Sequence, residues 1–237
     1  IAFEPIAGSG TYYVYFLPWL SEGRSNYPTV TYPEPSRQVD PARSRDIHHD
    51  AEGIATEGWR RLPAADPIAI ESIDEFNSFF PMEVIATAEE TEAVLAAHAD
   101  APYLLFPEDR RYPVRMSRDL PLRWIESGAN GAVVGEAQRG EWYAFQIGVW
   151  AARAAINDID VHFNAAVVHS GGYAGGAAIA GEAMSCITTG GVDWTGKALD
   201  KIVAVPQGQV QSLWCGVQVP EDLAAGEYVG RVTVAPE

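Results

Sequence analysis

Alternating apolar residues between positions 140 and 151 form the clearest hydrophobic pattern in the chain. Tyr143, Phe145, Ile147 and Val149 recur at every second position, which is the spacing that places side chains on one face of a β-strand. The residues between them are mixed in character, so the second face is expected to be partly covered as well. A strand with so apolar a face belongs inside a sheet, with other strands paired on both sides.

Similar but shorter runs predict further strands, and together they indicate a mainly β fold. These runs are residues 11–19, 82–86, 103–116 (a strand, a charged turn and a strand), 158–163, 184–188, 202–205, 210–219 and 228–234. Two capping boxes, Ser72-x-x-Glu75 and Thr87-x-x-Glu90, predict two short helices. We therefore expect an antiparallel β-sandwich of the jelly-roll or immunoglobulin-like kind, with two short helices and long loops.

The pattern is lost between residues 21 and 67, where prolines recur and charges are dense. This composition is typical of an extended linker or a long surface loop. We predict two domains: residues 1–66 form an N-terminal strand and an extended Pro-rich linker, on one interpretation the end of a preceding sandwich, and residues 67–237 form the β-sandwich domain. Residues 171–181 are rich in Gly and Ala but lack the Gly-Lys-Ser/Thr of a phosphate loop, so a flexible loop is predicted.

Charge and composition exclude several classes of partner. The formal net charge is −16 and the sequence pI is about 4.6, so the chain repels nucleic-acid phosphates and anionic membrane surfaces. No apolar run is long enough to span a bilayer. No signal peptide is visible, but the chain starts at Ile1 rather than Met, which indicates a processed or trimmed piece.

Cys186 and Cys215 are the only cysteines, and each lies in a strand-like run. Two interpretations stay open: a single disulfide in a secreted sandwich, or two buried free thiols. The close Cys and His spacing of a zinc site is absent, so no metal is expected. No cofactor is expected either; acidic loops leave a structural calcium open, although none has the spacing of a calcium loop.

Several motifs, taken in order, resemble the N-terminal non-catalytic region of glycoside hydrolase family 123-like proteins. They are Tyr12-Tyr13-Val14-Tyr15 with Leu17-Pro18, Pro81-Met82-Glu83, Phe106-Pro107-Glu108-Asp109-Arg110, Gly140-Glu141-Trp142-Tyr143-Ala144-Phe145-Gln146, Thr189-Gly190-Gly191-Val192-Asp193-Trp194-Thr195-Gly196, Leu213-Trp214-Cys215-Gly216-Val217 and Gly226-Glu227-Tyr228-Val229-Gly230. No single motif is diagnostic, and the resemblance rests on their order over most of the chain.

The resemblance implies a β-sandwich region that precedes a (β/α)-barrel catalytic domain. In that family the barrel carries an acidic pair for retaining hydrolysis, assisted by the acetamido group of the substrate. The implied partners are a carbohydrate and a catalytic barrel C-terminal to this chain, and the implied location is extracellular or periplasmic. Because no eightfold strand–helix alternation is visible here, no catalytic residue is expected in the chain.

Three functions are therefore weighed. The first is an accessory β-sandwich region of a secreted glycoside hydrolase. The second is a free-standing carbohydrate-binding module. The third is a β-sandwich glycosidase in its own right.

Glu108 lies in the densest charge cluster and is a weak catalytic candidate. Glycoside hydrolysis needs two carboxylates about 5 Å or more apart across the scissile bond, whereas Glu108 and Asp109 are adjacent and point to opposite faces of an extended chain. The favoured interpretation is a salt-bridged turn with Arg110 and Arg115.

Glu83 and Glu141 each lie among apolar neighbours. A half-buried carboxylate can have a raised pKa and act as an acid, which makes Glu141 the second weak catalytic candidate. The favoured interpretation pairs each glutamate with an arginine such as Arg115 or Arg123.

Four residues are candidates for ligand binding. An exposed tryptophan can stack on a sugar ring, and Trp194, beside Asp193 in a Gly-rich turn, fits this role best. Trp59 and Arg110 complete the set. Trp142 and Trp150 share a strand face and are expected in the core or at a domain interface.

Overall fold

The computed structural model describes residues 10–14, 20–24, 27–31, 64–73, 77, 80–170 and 178–236. The chain divides into two compact units. The first contains Ile1–Ala69 and Glu75–Phe80, and the second contains Ile70–Asp74 and Pro81–Glu237. The division predicted between residues 66 and 67 stays a prediction.

The first unit contains a β-hairpin that the sequence pattern does not predict. Strand β1 (Leu20–Arg24) pairs antiparallel with β2 (Tyr27–Thr31), so the expected loop at residues 21–67 is wrong for this segment. The strands are short, and β1 is mostly polar, which hides them from a search for apolar alternation. Residues 11–14, expected to begin a strand, are not in one, and residues 15–19 lie outside the described residues.

The described part of the second unit is mainly β. Its strands are β3 (Glu71–Ser72), β4 (Glu83–Val84), β5 (Leu104–Asp109), β6 (Trp142–Trp150), β7 (Ile159–Phe163), β8 (Ala166–Ser170), β9 (Ala178–Ile179), β10 (Met184–Cys186), β11 (Gly190–Val192), β12 (Ala198–Asp200), β13 (Val210–Gln218), β14 (Glu227–Val229) and β15 (Val232–Pro236). Its α-helices are α1 (Ala88–Ala97) and α2 (Leu122–Ser127). All the named strand pairs are antiparallel, which confirms the mainly β, antiparallel prediction.

Strand β6 occupies the middle of a four-stranded sheet with the order β10-β13-β6-β5. It pairs over its whole length with β13, from Trp142 opposite Gln218 to Trp150 opposite Val210. On its other side it pairs with β5. The structure therefore confirms that the apolar segment at residues 140–151 is interior to a sheet with strands on both sides.

Both faces of β6 are covered, each by a different part of the chain. Tyr143, Phe145, Ile147 and Val149 belong to a core that also contains residues of β7 and β15. The opposite face packs against helix α2, whose buried Trp124 lies over Gly148. A Cβ added at Gly148 would collide with the indole ring, so a bare backbone is needed here for the helix to approach the sheet.

The outer edge of β5 is closed by local contacts. Leu105 directs its backbone away from β6: its N–H donates to Asn130 Oδ1 at 3.3 Å, and its carbonyl accepts from Asn130 N at 2.7 Å. The backbone groups of residues 107 and 109 point away from β6 as well, because the direction repeats every second residue along a strand. Pro107 has no N–H, and the N–H of Asp109 donates to Glu108 Oε1 at 2.9 Å.

The predicted capping box at Thr87 forms, and Glu75 of the other predicted box lies outside the described residues. The Thr87 Oγ1 accepts from Glu90 N at 3.2 Å, and Glu90 Oε2 accepts from Thr87 N at 2.8 Å, so α1 begins where predicted. Ser72 instead lies in β3, and its hydroxyl donates to Asp119 Oδ2 at 2.9 Å. Most of the helix predicted after Ser72 lies outside the described residues.

The predicted strand at residues 228–234 is divided in two. β14 pairs with β8, whereas β15 pairs with β7, and the chain changes partner at Gly230. A Cβ at that position would lie 3.1 Å from Ala166 Cβ and 3.3 Å from the Asn164 carbonyl oxygen, so this close backbone approach favours glycine.

Two shorter strand predictions are also wrong. The second strand predicted within residues 103–116 does not form, and only β5 is present there. Residues 202–205 form a single bridge, Val205 with Ile156, instead of a strand.

Candidate functional site

Glu108, the first catalytic candidate, is held inside a hydrogen-bond network at the end of β5. Its side chain is 8% exposed. Oε2 accepts from Trp124 Nε1 at 2.9 Å and from Arg123 Nε at 2.6 Å, while Oε1 accepts from the backbone of Asp109. Because both carboxylate oxygens are engaged by the protein itself, Glu108 is placed to fix helix α2 on the sheet.

Burial raises the pKa of Glu108, and the hydrogen bonds from Trp124 and the Asp109 backbone oppose that rise. The neighbouring Arg123 guanidinium also favours the ionised carboxylate. A raised carboxyl pKa often marks an acid catalyst, but here its cause is burial, and both carboxylate oxygens already accept hydrogen bonds from the protein. These contacts point to a structural role.

Arg123 connects two carboxylates. Besides Glu108 it forms an ion pair with Glu83, and its guanidinium lies 5.3 Å from the centre of the Tyr112 ring. The prediction that Glu83 pairs with an arginine is confirmed. Burial lowers the pKa of Arg123, because removal from water disfavours the charged guanidinium. Its two carboxylate partners act in the opposite direction and favour the charged form.

Glu141, the second catalytic candidate, pairs with Arg110 instead of Arg115 or Arg123. Arg110 Nη1 lies 2.6 Å from Glu141 Oε1, and the backbone N–H of Gln138 donates to Oε2 at 2.8 Å. Both contacts lower the pKa of Glu141, with the Gln138 hydrogen bond the larger cause. A carboxylate so stabilised as an anion is poorly suited to donate a proton near neutral pH.

The adjacent Asp109 is engaged on the other side of the strand. Its Oδ1 accepts from Arg111 Nε at 2.7 Å and from Arg111 N at 2.9 Å, and Tyr143 donates to Oδ2 at 3.3 Å. Glu108 and Asp109 thus point to opposite faces, as predicted. The turn is salt-bridged, but through Arg123 and Arg111. The expected pairing of the two acids with Arg110 and Arg115 is wrong, because helix α2 supplies the partner of Glu108 and Arg110 pairs with Glu141 instead.

Gln146 holds this turn on the central strand and has no exposed surface. Its Oε1 accepts from Val114 N at 2.9 Å and Ser212 Oγ at 3.3 Å. Its Nε2 donates to the carbonyls of Asp109 and Tyr112, each at 3.3 Å. The sequence pattern does not assign this role, although a lone amide in an apolar strand is a signal that it needs buried partners.

Apart from the charge network at the end of β5, the other candidate site is the Trp194 hairpin, which we define as β11, β12 and the turn between them. Asp193 builds this turn: its Oδ1 accepts from Thr195 N at 2.7 Å, Thr195 Oγ1 at 2.7 Å and Lys197 N at 3.0 Å. These hydrogen bonds, that of the Thr195 side chain first, lower the pKa of Asp193. Gly196 has φ +82°, a conformation that favours glycine.

Trp194 is 96% exposed at the tip of the hairpin. Val192 and Leu199 are exposed large apolar side chains in the same hairpin. The turn thus presents an indole to solvent on a backbone fixed by Asp193. Trp194 has the exposure that stacking on a ligand requires. Asp193 contributes by accepting the hydrogen bonds that fix the conformation of the turn.

The four predicted binding residues do not share one described site. Arg110 belongs to the charge network at the end of β5, and Trp194 and Asp193 belong to the hairpin. Trp59 lies outside the described residues. Among the described residues, no group of three or more His, Cys, Asp or Glu side chains is arranged to hold a metal ion. No helix in the same part of the chain is both long and apolar enough to cross a membrane.

Comparison with known proteins finds a family match for the N-terminal part of the chain. Residues 1–73 match a family of glycoside hydrolase-related sequences. The family is described as glycoside hydrolase 123, N-terminal domain. The match confirms the predicted resemblance for residues 1–73, and the motifs between residues 81 and 230 stay a prediction.

One solved structure that matches part of the chain is a family 123 glycoside hydrolase from Clostridium perfringens, described in the context of glycolipid glycan hydrolysis. The two chains are 14% identical; the alignment covers 43% of this chain and 19% of that chain, with a TM-score of 0.32. This chain therefore spans about a fifth of the length of the solved one. A TM-score of 0.32 does not establish a common fold. No curated protein matches the chain.

Proposed function

We propose that the chain is an accessory β-sandwich region of a secreted glycoside hydrolase, and that it supports a catalytic barrel outside this chain. The observation that carries the proposal is the match of residues 1–73 to the N-terminal domain of glycoside hydrolase family 123. The proposed location is extracellular or periplasmic. The proposed substrate is a glycan, the class of substrate on which glycoside hydrolases act.

The contacts of the candidate acids support an accessory role. Catalytic carboxyl groups must face a space that admits the sugar, whereas Glu108 is enclosed by Trp124 and Arg123. Glu141 is held by Arg110 and the Gln138 backbone. Both glutamates are used to fix the end of the sheet, and the proposal assigns the chemistry to the barrel.

An activity assay tests this assignment. The 237-residue chain alone is expected to leave an aryl N-acetylhexosaminide intact, whereas the natural protein in its full reading frame is expected to hydrolyse it. In that protein Glu108→Gln and Glu141→Gln should keep turnover within about tenfold of the parent, because neither touches substrate; loss of a general acid or base costs about 10²–10⁴-fold. Turnover by the isolated chain, abolished by either substitution, would refute the accessory role.

Carbohydrate binding is the second candidate function, and the exposed indole of Trp194 favours it. A rigid turn that offers an aromatic face to solvent is suited to stacking on a sugar ring. This function is compatible with an accessory region, because binding would hold the glycan near a catalytic domain.

Binding should depend on Trp194. After a glycan array identifies a bound sugar, calorimetric titration with Trp194→Ala is expected to show at least a roughly tenfold loss of affinity, about 1.4 kcal/mol. Val192→Ala, at another exposed apolar position of the same hairpin, is the matched control and should bind like the parent. Equal binding by the two variants, or no binding by the parent chain, would remove the hairpin as a sugar site.

A further inference from the structure

The two cysteines lie directly opposite each other on neighbouring strands. Cys186 of β10 is the register partner of Cys215 of β13. The next pair along, Ile187 and Trp214, is hydrogen-bonded, with Ile187 N donating to the Trp214 carbonyl at 2.9 Å. Antiparallel pairs alternate between hydrogen-bonded and non-hydrogen-bonded, so the cysteine pair is of the second kind, for which the Cα atoms are about 4.5 Å apart.

That separation lies within the range of about 4.4–6.8 Å at which two cysteines can be bridged without moving the backbone. Opposite side chains in a register lie on the same face of the sheet, and here both thiols are buried in one core with Phe145 and Leu213. Both thiols are free in the structure. Since the chain has no other cysteine, no alternative intramolecular bridge competes.

The two thiols differ in reactivity. Cys186 lies on β10, at one edge of the four-stranded sheet, whereas Cys215 lies on an interior strand and has no exposed surface. A hydrogen bond from the Cys215 thiol, with smaller contributions from Thr189, lowers the pKa of Cys186. The same hydrogen bond and burial raise the pKa of Cys215. The thiolate is the nucleophile in disulfide exchange, so the attacking group should be Cys186.

We propose that Cys186 and Cys215 are a dithiol pair that a small disulfide oxidant converts into a cross-strand disulfide, with Cys186 reacting first. The Cys186 thiolate attacks one sulfur of the oxidant, forming a mixed disulfide and releasing one thiol. Cys215 then loses its proton and attacks Cys186 Sγ, which forms the Sγ–Sγ bond and releases the second thiol. Two electrons pass from the protein to the oxidant, which is reduced to two thiols. Opening of the edge strand β10 admits the oxidant.

The bridge would close the chain between residues 186 and 215, a segment that includes the Trp194 hairpin. A cross-link of this kind limits the freedom of the unfolded chain, and the effect increases with the length of the closed loop. The proposal does not depend on a role in glycan hydrolysis. Its failure would leave the proposed function untouched, because the experiment below measures thiols and stability and no enzymatic activity.

The test incubates the reduced chain with oxidised glutathione and then counts free thiols after unfolding. Both thiols are expected to disappear, and digestion without reductant should yield one cross-linked peptide that contains Cys186 and Cys215. The midpoint of thermal unfolding should rise by roughly 5 °C or more. The double variant Cys186→Ala/Cys215→Ala is the control, and its midpoint should be the same with and without the oxidant.

Single variants test the order of the two steps. Cys215→Ala should accumulate a glutathione adduct on Cys186, because the resolving thiol is absent, while Cys186→Ala should acquire little adduct on the enclosed Cys215. Two free thiols after incubation in urea just below the unfolding transition, where β10 opens, would overturn the proposal. Cross-links only between separate chains would also overturn it, and faster adduct formation on Cys215 would overturn the assigned order.

Discussion

Replacing Trp124 with alanine is expected to lower the free energy of unfolding by about 3–5 kcal/mol, the range found for deleting a buried large aromatic side chain. Trp124 is 2% exposed. Its ring stacks on Phe106 with the centroids 4.8 Å apart and the planes 6° from parallel. Its Nε1 donates to Glu108. The substitution removes all three contributions: the packing over Gly148, the ring pair, and one of the hydrogen bonds that satisfy a buried carboxylate.

Urea unfolding followed by far-ultraviolet circular dichroism measures this effect without relying on tryptophan fluorescence. Trp194→Ala is the matched control, since the same side chain is deleted from a site that is 96% exposed. We expect its unfolding curve to stay close to that of the parent. A change at Trp124 no larger than the change at Trp194 would show that α2 does not contribute to the stability of the sheet.

The second large effect is expected for Arg123→Met, which keeps an unbranched, flexible apolar stem and removes the charged guanidinium. Glu108 and Glu83 would then be left in a largely enclosed site without their shared cation. Breaking a buried pair from one side costs about 3–5 kcal/mol. Because the Arg123 side chain keeps 27% exposure, we expect a value near the lower end, about 3 kcal/mol.

The pH dependence distinguishes a lost charge from lost packing. The pKa of Glu108 is already raised in the folded protein by burial, and removing Arg123 should raise it further. A carboxyl group with a raised folded pKa favours folding below its unfolded pKa, and that contribution is lost as the pH rises through the folded value. The Arg123→Met defect should therefore be largest near neutral pH and shrink below the reference value of 4.5.

Arg110→Met provides the control for this measurement, because Arg110 also pairs with a glutamate near the end of the sheet but is more exposed. Exposed ion pairs contribute little, so only a small change is expected. The pKa of Glu141 is lowered, by the Gln138 backbone hydrogen bond and then by Arg110, so the small loss should disappear as the pH falls. An Arg123→Met defect that is the same at both pH values would contradict the charge argument.

The central strand, its two neighbours and helix α1 could be predicted because their signals are local. The alternation of Tyr143, Phe145, Ile147 and Val149 fixes one face of β6, and its apolar character requires partners on both sides. The Thr87–Glu90 box fixes the start of α1 with two hydrogen bonds over three residues. In both cases the physical cause lies within the segment itself.

Pairings between distant residues could not be predicted in the same way. Arg123 reaches Glu108 across 15 positions, and Gln146 reaches Val114 across 32. Which arginine pairs with which acid depends on where α2 packs, and the pattern of charges along the sequence does not contain that information. The change of partner at Gly230 has the same origin, because it is caused by the approach of a remote backbone.

The candidate sites were predictable to different degrees. Exposure of Trp194 could be predicted because a Gly-rich turn places its central residue in solvent. The enclosure of Glu108 could not, since only the packing of Trp124 on β5 buries it. The sequence therefore located the charged turn but could not decide between a reactive acid and a structural one.

The hydrogen bonds at the outer edge of β5 have a consequence for solubility. Unpaired N–H groups along a sheet margin invite a strand from another molecule to add on. Here the N–H of Leu105 donates to Asn130 Oδ1, and the N–H of Asp109 donates to Glu108 Oε1. Pro107, between them, has no N–H. Neighbouring molecules find no free backbone donor along this margin, so the sheet is protected there from extending itself into aggregates.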